Sequence, residues 1–121
     1  MKLCRIGELG KEKPAIIDKD GEYRDISGTV SDLNPESLNF ETIEKIKKLN
    51  TKDLPILDAN SRIGACVKNP SKFLGIGLNF KDHATEQNLP IPKEPIIFSK
   101  FTNCIVGPND NIEVPKNSNH T

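Results

Sequence analysis

Aromatic residues and long apolar runs are scarce in this chain of 121 residues. It contains no tryptophan, one tyrosine and five phenylalanines, and 35% of its residues are hydrophobic. Even with its eight glycines added, the apolar share stays below the roughly 45–50% of a typical globular domain. No apolar run approaches the ~20 residues that span a bilayer. The composition therefore excludes a membrane-spanning helix, and it predicts an incomplete domain or one that needs a partner.

An excess of charge of either sign is also lacking, because 17 basic residues balance 17 acidic residues. Without a net charge, no long-range field draws the chain toward nucleic acid or toward an anionic membrane surface. We therefore predict neither a nucleic-acid partner nor a membrane partner.

Cysteine is present only three times, at Cys4, Cys66 and Cys104, and without C-x-x-C spacing. An odd number in this pattern argues against a disulfide framework and against a zinc knuckle, and it favours a reduced, cytoplasmic location. One zinc shared by Cys66, His83, Cys104 and His120 is conceivable, but the lack of ligand spacing favours ordinary thiols and two unrelated histidines. The N-terminus shows no apolar segment typical of a secretory signal.

The first part of the chain, residues 1–69, has the pattern of a small β-rich domain with one helix, and it ends at a turn-forming Asn-Pro-Ser sequence. The helix is predicted over residues 35–49, where leucines and isoleucines form one apolar stripe and Glu44 pairs with Lys48. Strands are predicted at residues 3–6, 14–18 and 23–26, the last two joined by a turn at Asp20-Gly21, with strands or extended links at residues 54–58 and 62–67.

The segment from residue 72 to residue 102 combines two apolar strand patterns with ionisable residues between them. Residues 73–78 have the pattern of a fully buried strand, in which Gly75 and Gly77 indicate close packing or a ligand near its end. A strand is also predicted at residues 95–101.

Between these strands a short polar helix is predicted, with Asp82 as its N-cap and first acidic residue. His83 and Glu86 are three residues apart on one face of that helix, so the carboxylate can hold the imidazole. This is typical of a general base and its orienting acid, although a surface histidine is the more common interpretation when the pair stands alone. Three prolines then predict an extended surface crossing over residues 89–95. Lys100 lies near the end of the second strand, where a ligand group and a lysine that merely reaches solvent are equally expected.

The sequence GLNFKDHATEQNLPIPKEPIIFSKFTNCIVGPNDNIEVP resembles the entrance to the catalytic domain of the fumarylacetoacetate hydrolase family. That family typically shows G-x-N-[YF]-x-x-H-x-x-E, then P-x-x-F-x-K, then G-P-x-D-x-[IV]-x-x-P, and the order and spacing match throughout. The leading segment resembles the small N-terminal domain of many bacterial members. We therefore expect an α+β, mostly β fold, with residues 1–69 as the small domain and residues 70–121 as the beginning of the catalytic domain.

The resemblance implies a metal-dependent enzyme, with Mg²⁺ or Mn²⁺, that acts on small 2-oxo or β-diketo acids. The reactions it implies are carbon–carbon bond hydrolysis, decarboxylation, isomerisation or hydration, and the assembly it implies is a homodimer. By the same resemblance, His83 and Glu86 correspond to the dyad that activates water, and Lys100 corresponds to the lysine that holds or polarises the substrate.

Substrate contacts and a lid are implied for Asn79, Phe80 and Asp82, with the lid running from residue 81 to residue 94. Asn79 falls near where some members place a metal-binding aspartate. The family's principal metal carboxylates, an E-x-E pair and a later aspartate, lie downstream of a segment like residues 117–121. We therefore expect no metal ligand in this chain and place the metal carboxylates downstream of Thr121. The alternative is a catalytically incompetent fragment, cut early in the catalytic domain, that serves only as a folding or association module.

Overall fold

Strands dominate the computed structural model, which describes residues 1–118 and confirms the α+β, mostly β class. No helix in this range is long and apolar enough to cross a membrane. The strands are β1 (Lys2–Ile6), β2 (Lys13–Ile17), β3 (Tyr23–Asp25), β4 (Phe73–Gly77) and β5 (Ile96–Lys100); the α-helices are α1 (Phe40–Lys47) and α2 (Lys81–Glu86); single 3-10 turns cover Thr51–Asp53 and Thr102–Cys104.

The chain divides into two compact units. Unit 1 combines residues 1–69 with residues 105–118, and unit 2 comprises residues 70–104. The first boundary falls at the turn that the sequence indicates after residue 69. The assignment of all later residues to the catalytic domain stays a prediction.

Unit 1 is built on a three-stranded antiparallel sheet in the order β1-β2-β3. The predicted turn between β2 and β3 is confirmed: Gly21 has a φ of +88° and its amide donates to the Asp18 carbonyl at 3.2 Å. Glycine adopts this left-handed conformation at no steric cost. The two predicted links pair with the sheet only at single bridges, Arg24 with Ile56 and Ile6 with Ile63, so they are extended links rather than strands.

Side chains alternate between the two faces of this sheet along each strand. Apolar residues cover both faces. On one face Ile16 packs with Ile26, Leu33 and the helix residue Ile46. On the other face Cys4, Ile6 and Ala15 form a second cluster. Burial raises the pKa of the Cys4 thiol, which keeps it in the neutral form that suits an apolar layer.

Helix α1 is shorter than the sequence predicts, because it begins at Phe40 rather than at residue 35. Asn34 and Ser37 exchange side-chain to backbone hydrogen bonds of 2.9 and 3.0 Å, which favours a turn over a helix. Asn39 then caps the helix by accepting from the Thr42 amide at 2.9 Å. The predicted Glu44–Lys48 pair is also wrong, since Glu44 pairs with Lys47.

Unit 2 contains the antiparallel pair β4–β5, with Phe73 opposite Lys100 and Gly77 opposite Ile96. Both strands are confirmed, but the fully buried β4 is wrong: Leu74 is 54% exposed, and every residue of β5 is exposed. The sheet has two strands, and within this unit no other layer covers its faces. The close packing predicted at Gly75 is confirmed, because a Cβ there would overlap the edge of the Phe98 ring.

We expect Ile46→Ala to lower the free energy of unfolding by about 2–5 kcal/mol, since it leaves a cavity in the larger cluster. Phe40→Ala on the same helix is the matched control, because Phe40 is 92% exposed, and its effect is expected to stay within ~0.5 kcal/mol. Urea denaturation followed by circular dichroism measures both. Equal effects of the two substitutions would contradict this assignment of the core.

Candidate functional site

The turn that leads from β4 into α2 carries an unusual backbone conformation. Leu78 has a φ of +48°, a left-handed conformation that non-glycine residues seldom adopt and that costs on the order of 1–3 kcal/mol. Phe80 is the N-cap of α2 and makes no side-chain capping bond. The prediction that Asp82 is the cap is therefore wrong; Asp82 lies in the first turn, where its charge favours the helix dipole.

Helix α2 presents the predicted dyad to solvent. His83 and Glu86 are both exposed, and Ala84 is the buried residue of the helix. No hydrogen bond or ion pair joins the imidazole to the carboxylate or to another residue in the range 1–118. The sequence places the two side chains on one short helix, but nothing in this range orients the ring.

Lys100 lies at the opposite end of the hairpin from the start of α2. It is paired with Phe73, the first residue of β4, whereas α2 follows the last residue of that strand. Four residue steps along a strand separate these ends by about 14 Å. The ammonium of Lys100 lies 5.5 Å from the Phe73 ring centroid and 5.7 Å from that of Phe98, which are cation–π distances.

An open groove of about 350 Å³ lies beside the β4–α2 turn, between residues 76–79, Lys81 and residues 91–95. Asn79 lines it, but the predicted catalytic residues His83, Glu86 and Lys100 do not, and Phe80, 72% exposed, lies next to Asn79 in the chain without lining it. Lys81 and Lys93 also line the groove, although neither was predicted as a site residue. Lys81 is the first residue of α2 and Lys93 lies within the proline-rich crossing, so no spacing in the sequence indicates that they share a groove.

The part of the chain that the structure describes has no group of three or more His, Cys, Asp or Glu side chains able to hold a metal. Cys66 and Cys104 are free and exposed. Mg²⁺ and Mn²⁺ need several oxygen ligands that converge, so these residues do not fit such an ion. His120 lies outside the described residues, and so does Thr121. The placement of the metal carboxylates downstream of Thr121 therefore stays a prediction.

Unit 1 contains a chain of alternating charges that the sequence analysis missed. Arg5 is 4% exposed and binds Asp32 through two hydrogen bonds of 2.6 and 3.1 Å. The Nη2 of Arg5, one of the two nitrogens bonded to Asp32, also donates to Glu12 at 3.1 Å, and Glu12 accepts from Arg62 at 2.7 Å. Lys68 completes the cluster by approaching Asp32 at 3.1 Å.

Burial opposes ionisation of Glu12 and of Asp32, but their partners outweigh it. Hydrogen bonds and charge from Arg62 and Arg5 hold the pKa of Glu12 below its usual value. Bonds from Arg5, Lys68 and the Leu33 amide do the same for the pKa of Asp32. Both carboxyl groups are therefore ionised at neutral pH, as a fully paired buried cluster requires. The only signal in the sequence is an arginine at position 5 between apolar neighbours on a strand.

Comparison with known proteins gives one family match in the second half of the chain and several relatives along most of its length. Residues 72–121 match a family model described as fumarylacetoacetate (FAA) hydrolase C-terminal. Proteins of Burkholderia lata, Burkholderia ambifaria and Burkholderia multivorans are each 48% identical to the chain over 118 residues. Each of these three proteins is named provisionally as a hydrolase. The alignments cover 98% of this chain and 42% of each relative, so the chain spans less than half the length of these relatives.

We expect unit 1 to lose stability in acid because of the Asp32 and Glu12 carboxyl groups. Their pKa values are lower in the folded chain than in the unfolded chain, so the unfolded state binds more protons. Their contribution is therefore present above the unfolded pKa of ~4 and is lost as pH falls below it through the lower folded pKa values. Urea unfolding between pH 7 and pH 3 measures this slope.

Asp32→Asn tests whether the Asp32 carboxyl group causes this dependence of stability on pH. It should lower the free energy of unfolding at pH 7 by about 1–3 kcal/mol, since a buried arginine loses a charged partner. It should also flatten the dependence on pH. An unchanged slope in this variant would contradict the role assigned to Asp32.

Proposed function

Because the chain belongs to the fumarylacetoacetate hydrolase family, we propose that it carries the first part of the active site of a hydrolase for small 2-oxo or β-diketo acids. The observation that carries this proposal is the match over residues 72–121, which contains the helix that presents His83 and Glu86. The reaction is proposed as cleavage of a carbon–carbon bond, with decarboxylation, isomerisation or hydration as related outcomes. The assembly is proposed as a homodimer.

The volume and charge of the groove beside α2 favour a small anionic substrate. A volume of about 350 Å³ falls in the range of small-molecule sites. Lys81 and Lys93 against the single carboxylate of Glu94 give its lining an excess of positive charge, which favours the carboxylate of a 2-oxo acid. The Asn79 amide supplies a hydrogen-bond donor at the same place. We propose that Phe80 covers the substrate and that Asp82 stabilises the start of α2.

Helix α2 supplies the proton chemistry in this proposal. His83 takes a proton from water or from the substrate as general base, and Glu86 orients the imidazole from one turn away. Lys100 offers a positive charge to the substrate carboxylate or to the oxyanion that develops. Within residues 1–118 no hydrogen bond or ion pair joins Lys100 to His83 or to Glu86, so the proposal requires α2 to move when substrate binds.

The segment from residue 81 to residue 94 is proposed as the lid that makes this movement. Its helix buries only Ala84, and the prolines that follow it prevent regular structure. Few apolar contacts hold such a segment, and segments of this kind move most readily.

We propose that a form of this chain extended to the length of the relatives, the longer form, uses a divalent cation, Mg²⁺ or Mn²⁺. The described residues do not fit such an ion, so we propose that its ligands lie downstream of Thr121 in the longer form. The steps assigned to His83, Glu86 and Lys100 are proton transfer and charge stabilisation by this chain's own side chains.

A second candidate function is a folding or association module without catalysis. The exposed sheet of unit 2 favours it: Ile97 and Phe98 on β5 are 63% and 45% exposed, and Leu74 on β4 is 54% exposed. A two-stranded sheet with open apolar faces is marginal in water, and patches of this kind mark interaction surfaces.

Activity separates the two functions if it is measured in this chain and in a form extended to the length of the relatives. Oxaloacetate and an acylpyruvate, each with Mg²⁺ or Mn²⁺, serve as substrates. We expect turnover in the longer form and a fall of about 10²–10⁴-fold in His83→Ala, the usual loss for a general base. Gln87→Ala, an exposed neighbour at the end of α2, is the control and should leave turnover unchanged.

The opposite results would favour the module. Turnover in the longer form that survives His83→Ala would contradict the assigned base. No turnover in either form, together with stable complexes in sedimentation experiments, would replace the catalytic proposal by the association proposal.

We also expect ligand to slow amide hydrogen exchange over residues 81–94, because closing the lid protects its backbone. The amides of β4 and β5 serve as the internal control, since they are already paired. The measurement compares the longer form with and without an acylpyruvate. Equal exchange rates in the two samples would remove the lid from the proposal.

A further inference from the structure

The G-P-x-D part of the matched motif takes no part in the proposed chemistry, and its carboxylate is already occupied. Asp110 accepts hydrogen bonds from Arg62 Nε at 2.7 Å and from Arg62 Nη2 at 2.6 Å. It also accepts from the Gly107 amide at 2.7 Å, while its own amide donates to the Gly107 carbonyl at 3.1 Å. These bonds close a turn and hold it to an arginine, which leaves little capacity for a ligand.

Gly107 brings this turn directly against the backbone beside Arg62. A Cβ at this position would overlap the carbonyl oxygen of Ile63 and would lie 2.8 Å from a carboxylate oxygen of Asp110. Only glycine fits such an approach. The turn therefore meets the same place in unit 1 twice, through the close approach of Gly107 to the Ile63 carbonyl and through the bonds between Asp110 and Arg62.

Arg62 is also held by bonds other than those to Asp110. Its Nη1 donates to Glu12 at 2.7 Å, and Glu12 is held in turn by Arg5. Its carbonyl accepts from the Gly7 amide at 2.8 Å, next to the bridge between Ile6 and Ile63. An arginine fixed in this way loses little side-chain freedom when it binds a carboxylate with two parallel bonds.

The segment that contains this turn, residues 105–118, buries little apolar surface. Residues 105–118 contain no strand or helix, and Val106, Ile112 and Val114 are 47%, 87% and 54% exposed. Apolar burial, the usual source of stability, therefore contributes little here. Among residues 105–117, the hydrogen bonds that reach an earlier part of unit 1 are those between Arg62 and Asp110.

We propose that Arg62 is a positioning residue that latches residues 105–118 to unit 1 through Asp110. The chain leaves unit 1 after residue 69 and returns to it at residue 105. The latch fixes where it returns, and it gives the aspartate of the G-P-x-D motif a structural role rather than a role in substrate binding.

Hydrogen-exchange mass spectrometry on this chain and on the longer form tests the latch. Asp110→Asn keeps the shape of the side chain and removes its charge, and Arg62→Gln removes the other partner. Each is expected to speed exchange over residues 107–110, where the Gly107 and Asp110 amides are hydrogen-bonded, by about 10- to 100-fold, the loss typical of a hydrogen bond between charged groups. Exchange in β1 and β2 should change far less. The double variant should match the single variants, because the two side chains act as one contact.

Lys11→Gln is the matched control, since Lys11 and Glu8 form an ion pair of 2.9 Å with both side chains about four-fifths exposed. It should leave exchange over residues 107–110 unchanged. Three results would overturn the proposal: no local change in Asp110→Asn, equal acceleration in β1 and β2, or effects of the two substitutions that add. The measurement needs no substrate, so its outcome is independent of the proposed hydrolase activity.

Discussion

Burial of Arg5 is the constraint on which unit 1 depends. A guanidinium within a strand core costs several kcal/mol to desolvate unless it is fully paired. The pairs come from distant parts of the chain and tie together the sheet, the loop before α1 and the late turn. Cations and carboxylates alternate through the cluster, so that no charge is left alone; its members are Lys68, Asp32, Arg5, Glu12, Arg62 and Asp110.

Unit 2 buries much less apolar surface than unit 1. This difference is what we expect if the proposed site moves when it binds substrate. It has a two-stranded sheet with exposed apolar faces, a six-residue helix that buries only Ala84, and a proline-broken crossing. Stability is thus concentrated in unit 1, while the residues proposed for chemistry lie in the unit with fewer buried contacts. Active-site segments are commonly drawn from such low-stability regions.

Local sequence signals predicted most of the strands and turns. They could not predict which residues pair when these are far apart in the sequence. The Asp20-Gly21 turn, β4, β5 and α2 follow from turn chemistry and residue pattern. The start of α1 was missed because Asn34 and Ser37 bond each other across a turn. The burial of β4 was overestimated because an apolar run does not reveal how many layers cover it. The Arg62–Asp110 pair joins residues 48 positions apart, and no spacing rule indicates it. The family motif predicted which residues form the site. In residues 1–118, however, no hydrogen bond or ion pair joins Lys100 to His83 or Glu86.

The most direct test of the central claim is a map of where a 2-oxo acid binds. Amide and imidazole chemical shifts of the isotope-labelled longer form are recorded during titration with an acylpyruvate and Mg²⁺. The account predicts that the largest shifts fall on Asn79, His83, Glu86 and Lys100, with little change in the sheet of unit 1. Saturable shifts confined to other residues would contradict the placement of the active site in this part of the chain.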